Sequence, residues 1–222
     1  MLKLDRRSSF SVSEIDIELC SLLGKAKGFY VEIGAFDGVA QSNTLLLERD
    51  LGWTGILIEP VSAQFQRLRK NRSHGRNRLV NAAAVPFSYV GSTIEIATGG
   101  LMSSVIDRNA KMPDPIENAR TGRGNQRIFD GQQSEPELEV VPAIPLSQIL
   151  RRNSAPKLPD FLSLDCEGYE LDVLKGLDLQ EFKFSWILIE SRDFRKTEDY
   201  LVQAGYEFYR QMSGLDYLFK RR

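Results

Sequence analysis

Histidine is almost absent from this chain. His74 is the only one in 222 residues, which excludes histidine-rich metal sites and leaves acid–base chemistry mostly to carboxylates. Cysteine is nearly as scarce. Cys20 and Cys166 stand far apart without metal-ligand spacing, and they read as reduced thiols of a cytoplasmic protein. No apolar run has the length of a membrane span. The N-terminal MLKLDRRSSF carries charge but no apolar signal core, so nothing points to secretion. Neither sign of charge dominates: the net charge of -1 gives no general pull toward nucleic acid or membrane. Internal repeats are also missing. What is there is an ordinary globular balance, with 42% hydrophobic and 27% charged residues. The length suits one domain over 1–222, with an N-terminal helical segment over 1–28 and an insertion over 88–145.

Ser11 and Glu14 have the spacing of a capping box, and Ile15, Leu19, Leu22 and Leu23 follow at helical spacing. A helix therefore precedes the first strand, 29–33. Ser42 or Asn43 can cap a second helix, and residues 56–59 form a second buried strand closed by Pro60. A helix over 62–70 and a strand over 78–85 come next. Strand, helix, strand, helix, strand implies a parallel sheet with helices on both faces. The pattern then loosens. Residues 88–96 read as an extra strand, and 107–139 as a long excursion of lid type. A short helix over 146–150, strands over 161–165 and 186–190, and helices over 169–176 and 197–204 complete the alternation. Residues 206–210 and 217–220 face each other across Ser213-Gly214 as a hairpin.

Four apolar strands end in an acid: Asp37 follows the first, Glu59 ends the second, and Asp165 and Glu190 end the later two. Ligands of open parallel sheets sit beyond those carboxyl ends, where the strand order reverses. Gly34 lets the chain turn off the first strand, and Gly38 lets it pass close to a ligand. The run Gly34-Ala35-Phe36-Asp37-Gly38 lacks the middle and third glycines of a dinucleotide loop. Glu32 and Asp37 would also repel phosphates. A cationic cofactor without phosphates fits better, and S-adenosylmethionine is one. Glu59, 25 residues after Gly34, suits its ribose hydroxyls.

At this point the chain resembles the FkbM family of S-adenosylmethionine-dependent methyltransferases. The resemblance is carried by Val31-Glu32-Ile33-Gly34-Ala35-Phe36-Asp37-Gly38, Ser42-Asn43-Thr44, Gly52-Trp53 and Gly55-Ile56-Leu57-Ile58-Glu59-Pro60. It continues in Pro145-Leu146 and in Asp165-Cys166-Glu167-Gly168-Tyr169-Glu170. Phe36 stands where many members carry asparagine. The resemblance implies a class I methyltransferase fold of α/β type: a Rossmann-like, mostly parallel seven-stranded sheet with the last strand antiparallel. It implies methyl transfer to an oxygen of a sugar or natural product. It places Glu32, Gly34, Ala35, Asp37 and Gly38 around the methionine end of the cofactor, with Asn43 and Thr44 nearby. Glu59 and Pro60 fall at the ribose, and Asn81 and Ala82 near adenine.

Transfer to a hydroxyl needs alignment and the removal of one proton. Asp165, Glu167 and Glu190 are the candidate catalytic carboxylates. Asp165 and Glu190, ending adjacent strands, could also hold a Mg2+ that keeps waters and takes substrate oxygens. Glu170 reads as an acid placed for the helix dipole. Ser103 and Ser104, after Gly99-Gly100, are candidates for lining the pocket of a small-molecule or glycan acceptor. The basic run 67–78 reads as a solvated helix end, with His74 a surface residue in it. The rival from another class is a binding or scaffolding module that keeps the fold without turnover. An oxidoreductase reading fails on the glycine loop, and a nucleic-acid methyltransferase lacks a broad basic face.

Overall fold

The protein is described by a computed structural model over residues 8–73, 76–107, 114–130 and 135–222, with backbone alone for 123–130. In chain order it forms α1 (Ile15–Leu23), β1 (Phe29–Ile33), α2 (Leu45–Leu51), β2 (Thr54–Ile58), α3 (Ser62–Arg72) and β3 (Arg78–Val80). Next come β4 (Ala83–Val85), β5 (Thr93–Thr98), β6 (Ser104–Ile106), α4 (Pro115–Asp130), β7 (Glu137–Pro145) and α5 (Leu146–Arg152). The chain closes with β8 (Phe161–Leu164), α6 (Glu170–Leu174), β9 (Trp186–Glu190), α7 (Phe194–Gln203), β10 (Tyr206–Gln211) and β11 (Asp216–Arg221).

The main sheet has seven strands in the order β10-β11-β9-β8-β1-β2-β3. Strands β3, β2, β1, β8 and β9 run parallel, and β11 is antiparallel to both β9 and β10. This is the class I arrangement that the resemblance implied. β1, β2, β8 and β9 are buried on both faces, which is why they read as continuous apolar runs. Alternation sorts their side chains. Val31, Ile33, Ile56, Ile58, Leu162 and Ile187 join one core, and Tyr30, Leu57, Phe161 and Leu188 the other. Ile15, Leu19, Leu46 and Leu68 of α1, α2 and α3 cover the second face. Leu150, Val173 and Leu201 of α5, α6 and α7 cover the first.

Several sequence expectations give way here. Residues 78–85 are two strands, because the Asn81 amide donates to the carbonyls of Glu59 and Pro60 at 2.9 and 2.8 Å and turns the chain between them. β4 then joins a second sheet, β4-β7-β5-β6. The capping box at Ser11 is not made. Ser13 and Glu14 adopt left-handed φ of 53° and 59°, and the Asp16 carboxylate instead accepts from Ser9 Oγ, Phe10 N and Ser11 Oγ. α7 begins at Phe194, with the Asp193 side chain accepting from Lys196 N. The excursion 107–139 contains α4. His74, Met112 and the segments 108–113 and 131–134 lie outside the described residues. Among the described residues no helix is long and apolar enough to cross a membrane.

Candidate active site

β1 pairs with β2 on one side and β8 on the other, so the connection order reverses there and a crevice opens beyond the strand ends. Gly34 stands at its base with φ +78°, and a Cβ there would meet the Asp165 carbonyl oxygen at 1.9 Å. Glycine is thus required by the approach of two strand ends, not only by a ligand. Beyond it lies a cavity of about 850 Å³, its open mouth included, whose wall includes Gly34, Ala35, Phe36, Glu59, Pro60 and Ala82. The opposite wall includes Ser103, Asp165, Cys166, Glu167 and Tyr169.

Glu59 is buried, 5% exposed, and fixed by backbone donors: Phe36 N reaches Oε2 at 2.9 Å and Val61 N reaches Oε1 at 2.8 Å. Burial pushes its carboxyl up to about 8, against those two hydrogen bonds and with the Glu139 charge adding. Each oxygen keeps acceptor capacity toward the cavity. Asn81, expected at the base of the cofactor, holds the loop under Glu59 through its amide and is not part of the cavity wall.

Asp165 lines the cavity. Desolvation there raises its carboxyl well above the usual range, and the charges of Glu190 and Glu167 raise it further. Glu190, beside it, is held at about 7 by burial and the charges of Glu170 and Glu167, and its Oε2 is buried with no hydrogen-bond partner among the described residues. Two carboxyls this close disfavour each other's ionisation. Glu167, in a left-handed φ of 56°, accepts from Asn118 Nδ2 at 3.1 Å and from Arg192 Nη2 at 2.9 Å. Glu170 accepts from Cys166 N and Gly168 N at 2.8 and 2.9 Å, so it shapes the loop.

The possible Mg2+ ligands Asp165 and Glu190 fall in one cluster with Glu170. Asp165, Glu170 and Glu190 bring oxygens within 4.8 Å of one another. Glu170 Oε1 is engaged with two backbone amides, whereas Glu190 Oε2 has no hydrogen-bond partner among the described residues.

Other predicted residues are placed elsewhere. Glu32 points to the α2–α3 face, where Ser42 Oγ, Asn43 N and Thr44 Oγ1 donate to it at 3.0, 3.0 and 2.6 Å. Arg72 lies 3.9 Å from it. Alternation explains this: Glu32 shares a strand face with Tyr30, not with Ile33. Arg72, expected at a solvated helix end, is 1% exposed. Asp37 accepts from Val39 N and Ala40 N at 2.9 and 2.8 Å, closing the turn. Gly38 packs on α3, since a Cβ there would meet Leu68 and Arg72 at 2.6 Å. Asn43 donates to Ser163 Oγ at 3.1 Å. Thr44 is buried with Glu32. Ser104 is bound to Asn118 Nδ2 at 2.7 Å, while Ser103 remains on the cavity wall.

The sequence reading missed Asn118 and Arg192, and it took in Phe36 and Tyr169 only through the resemblance. Arg192 follows a strand end, the position that singled out Glu190. Asn118 arrives from the insertion on α4 and has no local signal.

The strand order and the acids at the ends of β2, β8 and β9 define a class I methyltransferase fold. The methyltransferase FkbM domain model matches residues 32–217, and the chain belongs to that family. No curated protein matches the chain. Similar solved structures include precorrin-6y C5,15-methyltransferase from Geobacter metallireducens GS-15, at 12% identity, covering 99% of this chain and 90% of that one, with a TM-score of 0.48. Human methyltransferase 10 domain containing protein is 13% identical, with 97% and 83% covered and a TM-score of 0.47. A SAM-dependent methyltransferase from Thiobacillus denitrificans, in complex with S-adenosyl-L-homocysteine, is 10% identical, with 94% and 69% covered and a TM-score of 0.42.

Proposed function

We propose that this protein transfers a methyl group from S-adenosylmethionine to a hydroxyl oxygen of a small molecule or glycan, such as a sugar or natural product. One observation carries the reading: Glu59 and Asp165, from strand ends on either side of β1, open onto one cavity beside the Gly34 turn. The residues present fit this cofactor. The acceptor-rich Glu59 suits ribose hydroxyls, and Gly34, Ala35 and Phe36 give a tight wall without a pyrophosphate cradle. The cavity edge offers the carboxyl oxygens of Glu59, Asp165 and Glu167 and, among the described residues, no Lys or Arg side chain to pair a phosphate.

When bound, S-adenosylmethionine supplies an electrophilic methyl carbon on a sulfonium. Asp165 is the base. Its ionised form takes the acceptor's hydroxyl proton as the oxygen gains the methyl group, and the raised pKa makes that carboxylate a stronger base. The charge of Glu190 beside Asp165 helps to raise its pKa. Arg192 and Asn118 hold Glu167 at the rim, and Ser103 lines the acceptor's side. No step is assigned to Mg2+. The acceptor is read as small because the exposed cations of α3, Arg67, Arg69 and Lys70, stand on the α2–α3 side, and Arg72 is buried away from solvent. A non-catalytic module would leave the carboxyls clustered at the cavity, Asp165, Glu167 and Glu190, without a task.

The test is Asp165→Asn. It should abolish methyl transfer in an acceptor screen while leaving S-adenosylhomocysteine affinity within about threefold. Turnover that survives the substitution would remove Asp165 from the role of base.

A further inference from the structure

The loop between β1 and α2 has two sides. Gly34, Ala35 and Phe36, and then Ala40, Gln41 and Ser42, line the main cavity, whereas residues 37–39 do not. Phe36 and Gln41 hold left-handed φ of 49° and 60°. Residues other than glycine stay in that region only where their surroundings fix them. The inner side is also tied to Glu59, because Phe36 N donates to Glu59 Oε2 at 2.9 Å. The position of this loop therefore sets one wall of the cavity and one hydrogen bond of the carboxyl assigned to the ribose.

The outer side rests on the last turn of α3. Asn71 Nδ2 donates to the Asp37 carbonyl at 2.8 Å, and Arg72 Nη1 donates to Gly38 O and Ser42 Oγ at 2.8 and 3.2 Å. Inside the loop, Gly38 N donates to Ala35 O at 2.8 Å, and Ala40 N donates to Asp37 Oδ1 at 2.8 Å. These bonds carry the placement of Asp37 and Gly38 to Ala35 and Ala40 on the cavity wall. The two anchors differ in what else they do. Arg72 is buried and also bonds Glu48 and Tyr30. Asn71 is exposed, and among the described residues the Asp37 carbonyl is the one hydrogen-bond partner of its side chain. Alanine is the better helix former, so α3 itself does not call for asparagine there.

We propose that Asn71 is a positioning residue for cofactor binding: its amide holds the Asp37 carbonyl and so fixes the loop whose inner side receives the cofactor. The proposal rests on the S-adenosylmethionine reading above. It gives one member of the 67–78 run, read from the sequence as a solvated helix end, a task at the site. A loop already held in its binding geometry loses less freedom when the ligand arrives, and affinity gains by that difference.

The experiment measures S-adenosylhomocysteine binding calorimetrically, and thermal melts without ligand, for wild type, Asn71→Ala, Asn71→Asp, Asn71→Gln and Lys70→Ala. Asn71→Asp keeps the shape and loses the N–H donor. Lys70→Ala makes the same change in net charge on the same turn and serves as its control. Asn71→Ala and Asn71→Asp should weaken binding by about threefold to tenfold, the range of one hydrogen bond. Their Tm should stay within about 2 °C of wild type, as expected at an exposed position. Asn71→Gln, which restores a donor, should recover most of the affinity, and Lys70→Ala should bind as wild type does. Wild-type affinity in Asn71→Ala and Asn71→Asp overturns the proposal and leaves the cofactor reading standing. A loss that Asn71→Gln does not recover, or one that a fall in Tm accompanies, does the same. No binding by wild type overturns the cofactor reading and this proposal with it.

Discussion

Replacing Arg72 with methionine should be among the most damaging single changes in this protein. The side chain is 1% exposed and makes five short polar contacts. Nε donates to Glu48 Oε2 at 2.6 Å, Nη1 to Gly38 O and Ser42 Oγ at 2.8 and 3.2 Å, and Nη2 to Tyr30 OH and Thr44 Oγ1 at 2.8 and 3.1 Å. It is also the cation nearest the buried Glu32 carboxylate, at 3.9 Å. Removing one partner of a buried ion pair costs about 3–5 kcal/mol, because the other charge stays behind uncompensated. At about 2–4 °C per kcal/mol for a domain of this size, Tm should fall by roughly 6–20 °C.

The loss should depend on pH with a definite sign. Burial already raises Glu32 above its ordinary 4.5, and Arg72 is the strongest opposing influence. Without Arg72 the folded-state value rises further. A carboxyl raised in the folded state contributes stability that is fully present below the unfolded value and is lost as pH rises through the folded one. Arg72→Met should therefore be closest to wild type near about pH 5 and furthest from it at alkaline pH. Adding Glu32→Gln should recover at least about 1 kcal/mol. The assay is urea unfolding of the three proteins at two pH values. A loss below about 1 kcal/mol, or one independent of pH, would refute the buried-charge argument.

Two further outcomes follow from the same geometry. Gly34→Ala places a methyl group 1.9 Å from the Asp165 carbonyl oxygen at a φ of +78°; it should destabilise by at least about 2 kcal/mol and weaken S-adenosylhomocysteine binding, whereas wild-type melts and affinity would contradict the close approach. Glu59, Glu170 and Glu190 are held at about 8, about 7 and about 7, so the native state binds more protons than the unfolded chain across neutral pH. Tm should then decline from about pH 6 to about pH 8.5, and a rise over that range would count against the buried carboxyls.

The strands were readable because parallel strands leave an unbroken apolar signature, while the seven-stranded arrangement came from the resemblance. Residues 29–33 and 56–58 show it directly. The acids at strand ends marked the crevice for the same reason. The reading failed where side-chain direction or a distant partner decides. Glu32 and Glu59 look alike in sequence. One shares a face with Tyr30 and meets Arg72 from α3, while the other lies past its strand end and lines the cavity. Gly38 looked like a ligand glycine and is a packing glycine against Leu68 and Arg72. The break at Asn81 needed knowledge of the carbonyls it binds. α4 hides in a polar stretch because it packs on Gly99: a Cβ at Gly99 would meet Ala119 Cα at 2.4 Å. Close backbone approach leaves no apolar stripe to read.

The most direct measurement is a calorimetric titration of the purified protein with S-adenosylhomocysteine, alongside NADH and with Glu59→Ala as the paired variant. The account predicts binding at about micromolar affinity to wild type, no binding of NADH, and a loss of at least about tenfold in the variant. No heat from S-adenosylhomocysteine, or equal affinity for Glu59→Ala, would contradict the assignment of the β1 crevice to this cofactor.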